Sequence, residues 1–180
     1  MFVSMNWIQE YVDLSGENIE SLIKRFTLST AEVEDIIYKG KEVQGVIIAE
    51  IKSVENHPNS KKLHLLKVDT GSGIVDCVCG APNVEVGQRV AFAPVGSHVV
   101  GMEITEATVA GYVSQGMCCG EDELGISDDH TGLMVIDSDA PLGTDIKSIY
   151  AIDDIIFEVD NKSLTNRPDL WGHYGIAREF

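Results

Sequence analysis

Thiols and imidazoles are the side chains in this 180-residue sequence best suited to bind a metal or to act as nucleophiles. The four cysteines form two pairs, Cys77 with Cys79 and Cys118 with Cys119. Neither pair has the C-x-x-C spacing of a zinc knuckle or a redox site, so we expect reduced, mostly structural thiols. A metal held by all four is the alternative, and it requires the two pairs to converge. The five histidines show no zinc-ligand spacing, which predicts surface or turn roles.

The tripeptide Asp69-Thr70-Gly71 follows a hydrophobic run, as the catalytic aspartate of an aspartic protease does. That chemistry needs two such aspartates sharing a proton. The sequence has no second Asp-Thr-Gly or Asp-Ser-Gly, and Lys67 is poorly suited to a dry catalytic core even if a homodimer supplied the partner. We therefore predict that Asp69 caps its own turn through an Asx hydrogen bond.

The distribution of charge restricts where nucleic acid could be bound. A net charge of −16 argues against a generic nucleic-acid binder, because such proteins neutralise phosphates with Lys and Arg. Residues 1–38 carry seven acids and two bases, residues 39–95 six acids and seven bases, and residues 96–180 sixteen acids and four bases. Any contact with nucleic acid that depends on charge is therefore expected in the central segment.

The first part of the chain has the apolar periodicity of two short helices. Residues 7–12 place their apolar side chains on one helical face, which Ser4 can cap. Residues 19–26 repeat the pattern, in a helix that Ser15 or Gly16 can open. Two short helices bury too little apolar surface alone, so this part needs a packing partner.

The central part changes to short β-strands separated by glycine-rich turns. The principal strands are predicted at residues 43–54, 63–68, 74–79, 89–94 and 107–113. Five short strands within about 75 residues suggest a small OB-type barrel. A further strand at residues 133–136 is expected in a C-terminal extension of that barrel.

The last part returns to mixed structure. Residues 155–159 predict a strand, as residues 33–38 do near the start of the chain. Asn166 has the character of a helix cap with Pro168 in the first turn, and an apolar helical face then runs up to Phe180. Natural termini usually end in polar residues, so we expect the chain to continue in a longer protein.

These elements together predict an α+β fold. A five-stranded OB-type barrel with its extension, residues 39–151, is inserted into a small α/β domain formed by residues 1–38 and 152–180. No apolar run is long enough to span a bilayer, and the N-terminus lacks a secretory signal. We therefore expect a cytoplasmic protein with no membrane partner.

Segments in order along almost the whole chain resemble the β subunit of bacterial phenylalanyl-tRNA synthetases. The opening VSMNWIQEYV, residues 3–12, is similar to the usual start of that chain, and HPNSKKL with KVDTG, within residues 57–71, resembles the signature of its tRNA-binding OB domain. The other matching segments are VCGAPNV at 78–84, SQGM at 114–117, ELGISDDH at 123–130, TNRPD at 165–169 and GIARE at 175–179. Two departures are Ser60-Lys61-Lys62, where Ala-Asp-Lys or Ala-Asp-Arg is more frequent, and Gln115, where Glu is usual.

The resemblance implies that the barrel presents a groove to tRNA through basic side chains and loop backbone. The candidate contacts are Lys61, Lys62, Lys67 and Arg89 for phosphates, Asn59 and Ser114 for hydrogen bonds, and Met117 for a sugar or base. Equally, Lys61 and Lys62 can be a solvated loop and Ser114 to Met117 a structural turn, and core packing is favoured for Met117. Phe92 is the one aromatic residue in segment 39–95, which favours shape and phosphate recognition over sequence reading.

The resemblance also implies a division of labour within the parent enzyme, an ATP- and magnesium-dependent phenylalanine–tRNA ligase. Aminoacylation would belong to its α subunit, and the editing pocket would lie further along the β chain. We accordingly predict no catalytic residue, metal or cofactor in this chain, which also lacks both common nucleotide-binding glycine motifs. Its expected partners are phenylalanine-specific tRNA and the α subunit, not DNA. The alternative is a structural or assembly module with negligible RNA affinity of its own, which the acidic flanks favour.

Overall fold

The computed structural model describes residues 1–180 and divides them into two units, residues 1–39 with 153–180 and residues 40–152. The strands are β1 (Phe2–Ser4), β2 (Val33–Lys39), β3 (Ile47–Asn56), β4 (His64–Asp69), β5 (Ile74–Cys79), β6 (Arg89–Pro94), β7 (His98–Val99), β8 (Met102–Glu103), β9 (Ala107–Val109), β10 (Tyr112–Ser114), β11 (Gly116–Cys118) and β12 (Asp154–Val159). The α-helices are α1 (Met5–Ile8), α2 (Ile19–Ser29) and α3 (His173–Ala177), and short 3-10 helices lie at Ile146–Ser148, Asn161–Leu164 and Pro168–Leu170. The longest helix, α2, has 11 residues, and none of the helices could span a bilayer.

The first unit is a three-stranded antiparallel sheet with its helices. The strand order is β1-β12-β2, with Val3 opposite Phe157 and Ile36 opposite Phe157 on the other side. The core is aromatic and aliphatic: Phe157 is fully buried, and the Phe26 and Phe180 rings stack with centroids 5.4 Å apart. The sheet therefore joins the two ends of the described chain in one hydrophobic core.

One helix in this unit is capped by the residue that the sequence predicts, and another is not. Ser4 caps α1 as predicted, accepting a hydrogen bond from the Trp7 amide at 3.1 Å. The expected opening of α2 at Ser15 or Gly16 is wrong. Asn18 caps α2 by accepting from the Ser21 amide at 2.8 Å, whereas the Ser15 hydroxyl is already hydrogen-bonded to Asp13. An Asn directly before the first apolar residue is the better cap because its side chain reaches the N3 amide.

The predicted continuous helix after Asn166 is also wrong. The 3-10 helix Pro168–Leu170 ends before Gly172, and α3 begins only at His173. Gly172 has φ +145°, a conformation that interrupts a helix and that glycine adopts without strain. The apolar residues thus reach the core from two short helical turns instead of one helix.

The second unit is built on a five-stranded antiparallel sheet with the order β11-β6-β3-β4-β5. The long strand β3 pairs with β4 at one end, Asn56 opposite His64, and with β6 at the other, Glu50 opposite Arg89. A register shift between Ile51 and Ser53 marks a bulge of the kind that lets a strand bend between two partners. The α+β class and the five-stranded OB-type barrel are confirmed.

Hydrogen bonds from the short segment before β11 bring the two outer strands of this sheet together. The Gln115 amide donates to the Asp76 carbonyl at 2.8 Å, and the Val78 amide donates to Ser114 Oγ at 3.0 Å. The sheet is therefore nearly closed, with β5 and β11 adjacent where the barrel would otherwise be open.

The fifth barrel strand is not the one that the sequence predicts. Residues 107–113 fall in a separate β9–β10 hairpin around Ala110 and Gly111, whose φ values of +50° and +92° suit a tight hairpin turn. The barrel is completed instead by β11, where Met117 lies opposite Ala93. Three residues are too few for their β-pattern to be recognised in a sequence.

The predicted strand at residues 133–136 does not form either. This segment makes a single bridge, Val90 with Val135, and the Met134 amide donates to the Cys119 carbonyl at 2.9 Å. The segment lies along the edge of β6, where the Ala91 amide donates to the Met134 carbonyl at 3.3 Å and the Ile136 amide donates to the Arg89 carbonyl at 2.8 Å. Its side chains join the two hydrophobic clusters that bury both faces of β6. The extension exists as a packed segment without a regular ladder.

Candidate nucleic-acid interface

The loop between β3 and β4, residues 57–63, is held in place by a buried histidine. His57 is 3% exposed; its Nδ1 accepts a hydrogen bond from the Asn59 amide at 3.1 Å, so Nε2 carries the proton. Nε2 then donates to the Ala110 carbonyl at 3.1 Å. The His57 amide also donates to the Leu63 carbonyl at 3.0 Å, which closes the base of the loop. One side chain therefore orders this loop and joins it to the β9–β10 hairpin.

The loop carries two exposed basic side chains. Lys61 and Lys62 are exposed, and neither forms an ion pair or a side-chain hydrogen bond. Asn59 is exposed beside them, with its amide side chain free of intramolecular hydrogen bonds. The structure thus places three of the residues predicted from the sequence, Asn59, Lys61 and Lys62, together on one ordered loop.

A groove lies on the barrel between β4, β5 and β10, with a volume of about 250 Å³. Two pairs of cross-strand neighbours contribute to its walls, Leu65 with Val78 and Lys67 with Asp76, and Tyr112 stands at its side. In OB folds, the second and third barrel strands and the loops between strands one and two and between strands four and five form the usual surface for oligonucleotides. Here those elements are β4, β5, the 57–63 loop and the segment that contains the β9–β10 hairpin.

Lys67 lies in this groove, but its ammonium group forms an ion pair with the carboxylate of Asp76. Its Nζ is 2.6 Å from Asp76 Oδ1, and this hydrogen bond raises the pKa of the Lys67 ammonium. Both side chains are more than half exposed, so the pair is weak in water. A phosphate could compete for the ammonium only at the cost of that pair and of repulsion by the carboxylate.

Arg89 lies away from the groove and is already engaged. Its Nη1 donates to the Ala140 carbonyl at 2.8 Å and also to the Ser138 carbonyl, which holds the extension against β6. In the sheet, the backbone of Arg89 lies opposite that of Glu50 on β3. Glu50 is six residues along β3 from Asn56, where the lysine-bearing loop begins, and six residues of strand span about 20 Å. The structure does not bring Arg89 together with Lys61 and Lys62.

Ser114 and Met117 contact other parts of the barrel and do not line the groove. Ser114 is 5% exposed; its hydroxyl accepts from the Val78 amide and donates to the Gly116 carbonyl at 2.9 Å. Met117 is half-buried on β11 and packs against the hydrophobic cluster under the extension. Both residues hold β11 in place, and their side chains belong to the barrel's closure rather than to the groove.

Tyr112 is a candidate that sequence reasoning missed. Its ring is 39% exposed, lines the groove and makes an edge-to-face contact with His57, with centroids 5.0 Å apart. Phe92, the aromatic residue considered from the sequence, is fully buried. The signal for Tyr112 was an aromatic residue in the connection between two barrel strands, just outside the segment with the positive charge.

The thiols lie close to the groove but do not all meet. Cys77, Cys79 and Cys118 share the barrel interior, whereas Cys119 packs in the separate cluster under the extension. All four are free and buried. The convergence that a four-thiolate metal site would require is therefore not present.

Comparison with known proteins identifies the barrel unit. The family described as "Putative tRNA binding domain" matches residues 46–145, more than half of the chain. The chain belongs to this tRNA-binding domain family. The match runs from Val46, just before β3, to Asp145, so it includes the 57–63 loop, the groove and Tyr112.

Relatives extend the similarity beyond that domain. The phenylalanine–tRNA ligase β subunits of Leptospira interrogans and Salinibacter ruber are 38% and 39% identical over 99% of this chain. The chain spans only 22% and 23% of those proteins. A solved structure, the MetRS related protein from Pyrococcus horikoshii, aligns with 73% of this chain and covers 97% of its own length. Its TM-score is 0.41 and its sequence identity is 17%, so the fold described here rests on the strand order alone. The β-subunit resemblance drawn from the sequence is confirmed.

Proposed function

We propose that residues 40–152 bind tRNA and serve as an accessory tRNA-recognition region of a phenylalanine–tRNA ligase β subunit. The observation that carries the proposal is that Lys61 and Lys62 are exposed and form no ion pair. Both lie on the loop that hydrogen bonds of His57 hold in place. The family membership and the similarity to β subunits support it. The proposal includes phenylalanine-specific tRNA and the synthetase α subunit as partners, in the cytoplasm.

Binding is expected to combine electrostatic attraction with stacking. Lys61 and Lys62 would contact successive phosphates, and Asn59 would donate a hydrogen bond to the backbone or to a base edge. Tyr112 offers the exposed ring on which an unpaired base can stack. The acidic surroundings limit non-specific attraction, so the interface would favour a tRNA surface that fits the loop and the groove together.

The chain itself would perform no chemistry in this scheme. Aminoacylation, with its ATP and magnesium, is assigned to other parts of the synthetase. The region described here would contribute by placing tRNA, which lowers the entropic cost of bringing the acceptor end to a distant catalytic site.

A second candidate is a structural or assembly module with little RNA affinity of its own. It is favoured by the ion pair of Lys67 with Asp76 and by the hydrogen bonds of Arg89 to backbone carbonyls, so two of the four predicted phosphate contacts are already engaged within the protein. The net charge of −16 points the same way. The two functions differ in how binding responds to salt.

The test is fluorescence anisotropy of labelled tRNA with the 180-residue chain at about 50 and 150 mM salt. We expect affinity to fall with salt. The Lys61→Ala/Lys62→Ala variant should bind more weakly, and the slope of log K against log salt should fall by about 1.4 to 1.8, the range for two phosphates. The matched control is Lys24→Ala/Arg25→Ala, an adjacent basic pair on α2, which should leave binding unchanged. Absent or salt-independent binding would favour the assembly function.

A further inference from the structure

Two thiols face each other across the gap where the barrel closes. Cys77 on β5 and Cys118 on β11 have sulfur atoms 3.9 Å apart inside the barrel. They are 41 residues apart in sequence and lie on the two outer strands of the five-stranded sheet. The backbone is fixed on either side of Cys77, because the Gln115 amide donates to the Asp76 carbonyl and the Val78 amide donates to Ser114 Oγ. The sulfur atoms are about 2 Å farther apart than in a disulfide, whose bond is about 2.05 Å long.

We propose that Cys77 and Cys118 form a reversible oxidative modification site, in which a hydroperoxide converts the two thiols into a disulfide between β5 and β11. The site is distinct from the lysine loop and does not depend on RNA binding. Its product would be a covalent closure of the barrel at the place where the sheet has no regular ladder.

The two thiols have complementary acid–base character. A hydrogen bond from the Cys118 thiol stabilises the Cys77 thiolate and lowers the pKa of Cys77, while the pKa of Cys118 is raised well above its ordinary value by the same contacts and by burial. Cys77 is therefore the thiol that reacts as the nucleophile, and Cys118 remains protonated until the second step.

The reaction balances in two steps. Cys77–SH and hydrogen peroxide give the sulfenic acid Cys77–SOH and water; the O–O bond breaks and an S–O bond forms. Cys118–SH then attacks the sulfenic sulfur, and the products are the Cys77–Cys118 disulfide and a second water. The two thiols lose two electrons and the peroxide gains them. A dithiol such as dithiothreitol reverses the change by thiol–disulfide exchange.

The thiol that the oxidant must reach is buried. Cys77 is 1% exposed, and its side chain packs in the barrel interior with Cys118, on the opposite face of β5 from the groove-lining side chains of Asp76 and Val78. Peroxide must therefore enter the barrel interior to react with Cys77.

The other two cysteines provide internal comparisons. Cys119 lies in a different hydrophobic cluster, its sulfur donates to the Met117 carbonyl at 3.6 Å, and burial raises its pKa. Cys79 is also close to Cys118 and its pKa is lowered to about 7, so it is the competing partner for the same bond. The 3.9 Å separation of Cys77 and Cys118 favours the bond between those two.

The experiment treats the full chain with hydrogen peroxide, blocks the remaining thiols and measures intact mass and peptide linkage. We expect a loss of two hydrogens that dithiothreitol reverses, with tandem mass spectra assigning the bond to Cys77 and Cys118. Cys77→Ser and Cys118→Ser should abolish that bond, whereas Cys79→Ser and Cys119→Ser should retain it. The linkage in the unmodified sequence is read without any variant, so loss of folding in one variant leaves the test intact. A bond to Cys79, or no intramolecular disulfide, would overturn the proposal.

Discussion

The imidazole of His57 donates through Nε2 to the carbonyl oxygen of Ala110, 3.1 Å away, across 53 residues of sequence. This bond connects the lysine-bearing loop with the hairpin turn between β9 and β10. His57 is a buried polar residue, and Ala110 is the one residue other than glycine with a positive φ, +50°. The two sides of the proposed tRNA surface are therefore coupled through one side chain.

Removal of that connection should weaken both the barrel and the interface. In His57→Ala the Asn59 amide and the Ala110 carbonyl lose their partner, and we expect the free energy of unfolding to fall by about 1–3 kcal/mol. Affinity for tRNA should fall as well, because the loop with Lys61 and Lys62 loses its anchor. Urea unfolding and anisotropy measure the two effects. The exposed histidine His98, changed to Ala, is the control, and equal stability of the two variants would contradict the assigned role.

Tyr112 should contribute to binding through its ring. Stacking of one base on an aromatic side chain is worth about 1–3 kcal/mol, so Tyr112→Ala should weaken tRNA binding by roughly 5- to 150-fold. Tyr112→Phe retains the ring and should bind nearly as well as the unchanged protein. Tyr174→Ala, at an exposed tyrosine of the other unit, should have no effect. Anisotropy at fixed salt makes the comparison, and equal loss in the Ala and Phe variants would argue against stacking.

Gly116 should be irreplaceable at the start of β11. Its φ is +147°, and a Cβ at this position would lie 2.7 Å from the Ala93 carbonyl oxygen and closer still to the Phe92 ring. Gly116→Ala therefore combines backbone strain with overpacking, and we expect a loss of about 3 kcal/mol or more. Gly73→Ala, where the added Cβ meets no neighbour within 4 Å, should change stability by about 0.5 kcal/mol at most. Urea unfolding distinguishes them, and similar midpoints would refute the packing argument.

The first unit should lose stability in mild acid through His173. Its Nε2 accepts the Ser4 amide at 3.0 Å, and burial lowers its pKa below the ordinary 6.5, although Asp154 opposes this. Because the folded state prefers the neutral ring, this contribution is fully present above pH 6.5 and is lost as pH falls through the lowered pKa. The unfolding temperature should therefore be lower at about pH 5 than at about pH 7.5.

Tryptophan emission is the appropriate measurement, since Trp7 and Trp171 are the only tryptophans and both belong to the first unit. Trp7 also stacks on His173, with ring centroids 4.1 Å apart. In His173→Gln the difference in unfolding temperature between the two pH values should shrink. An unchanged difference would assign the acid sensitivity to other groups.

The parts of the fold that were predictable are those with long or strongly patterned segments. Strands β4, β5 and β6 and the capping of α1 by Ser4 follow from local periodicity and side-chain chemistry. The failures occurred where tertiary contacts decide: β11 has three residues and is defined by pairing with β6, and Gly172 divides what looked like one helix. The Asx bond was anticipated correctly, since Asp69 accepts from the Gly71 amide at 2.9 Å.

The candidate site was only partly accessible from the sequence. The resemblance to the tRNA-binding OB signature indicated the Lys61–Lys62 pair, which lies within the matching segment HPNSKKL. The surroundings of Lys67, Arg89 and Ser114 could not be read in the same way, since Asp76, the carbonyls of the extension and the Val78 amide are remote in sequence. Tyr112 was missed because its position beside the groove depends on the β9–β10 hairpin.

The register of the first unit has a consequence for how the barrel could be removed or replaced. Lys39, the last residue of β2, is paired directly with Asp154, the first residue of β12, so the chain leaves and re-enters this sheet at adjacent backbone positions. A two-residue hairpin turn can bridge such a pair. Excision of residues 40–153 and ligation through an Asn-Gly link should therefore leave a continuous β2–β12 hairpin with a two-residue turn. Recombination could then insert or exchange the barrel without changing the sheet that carries it.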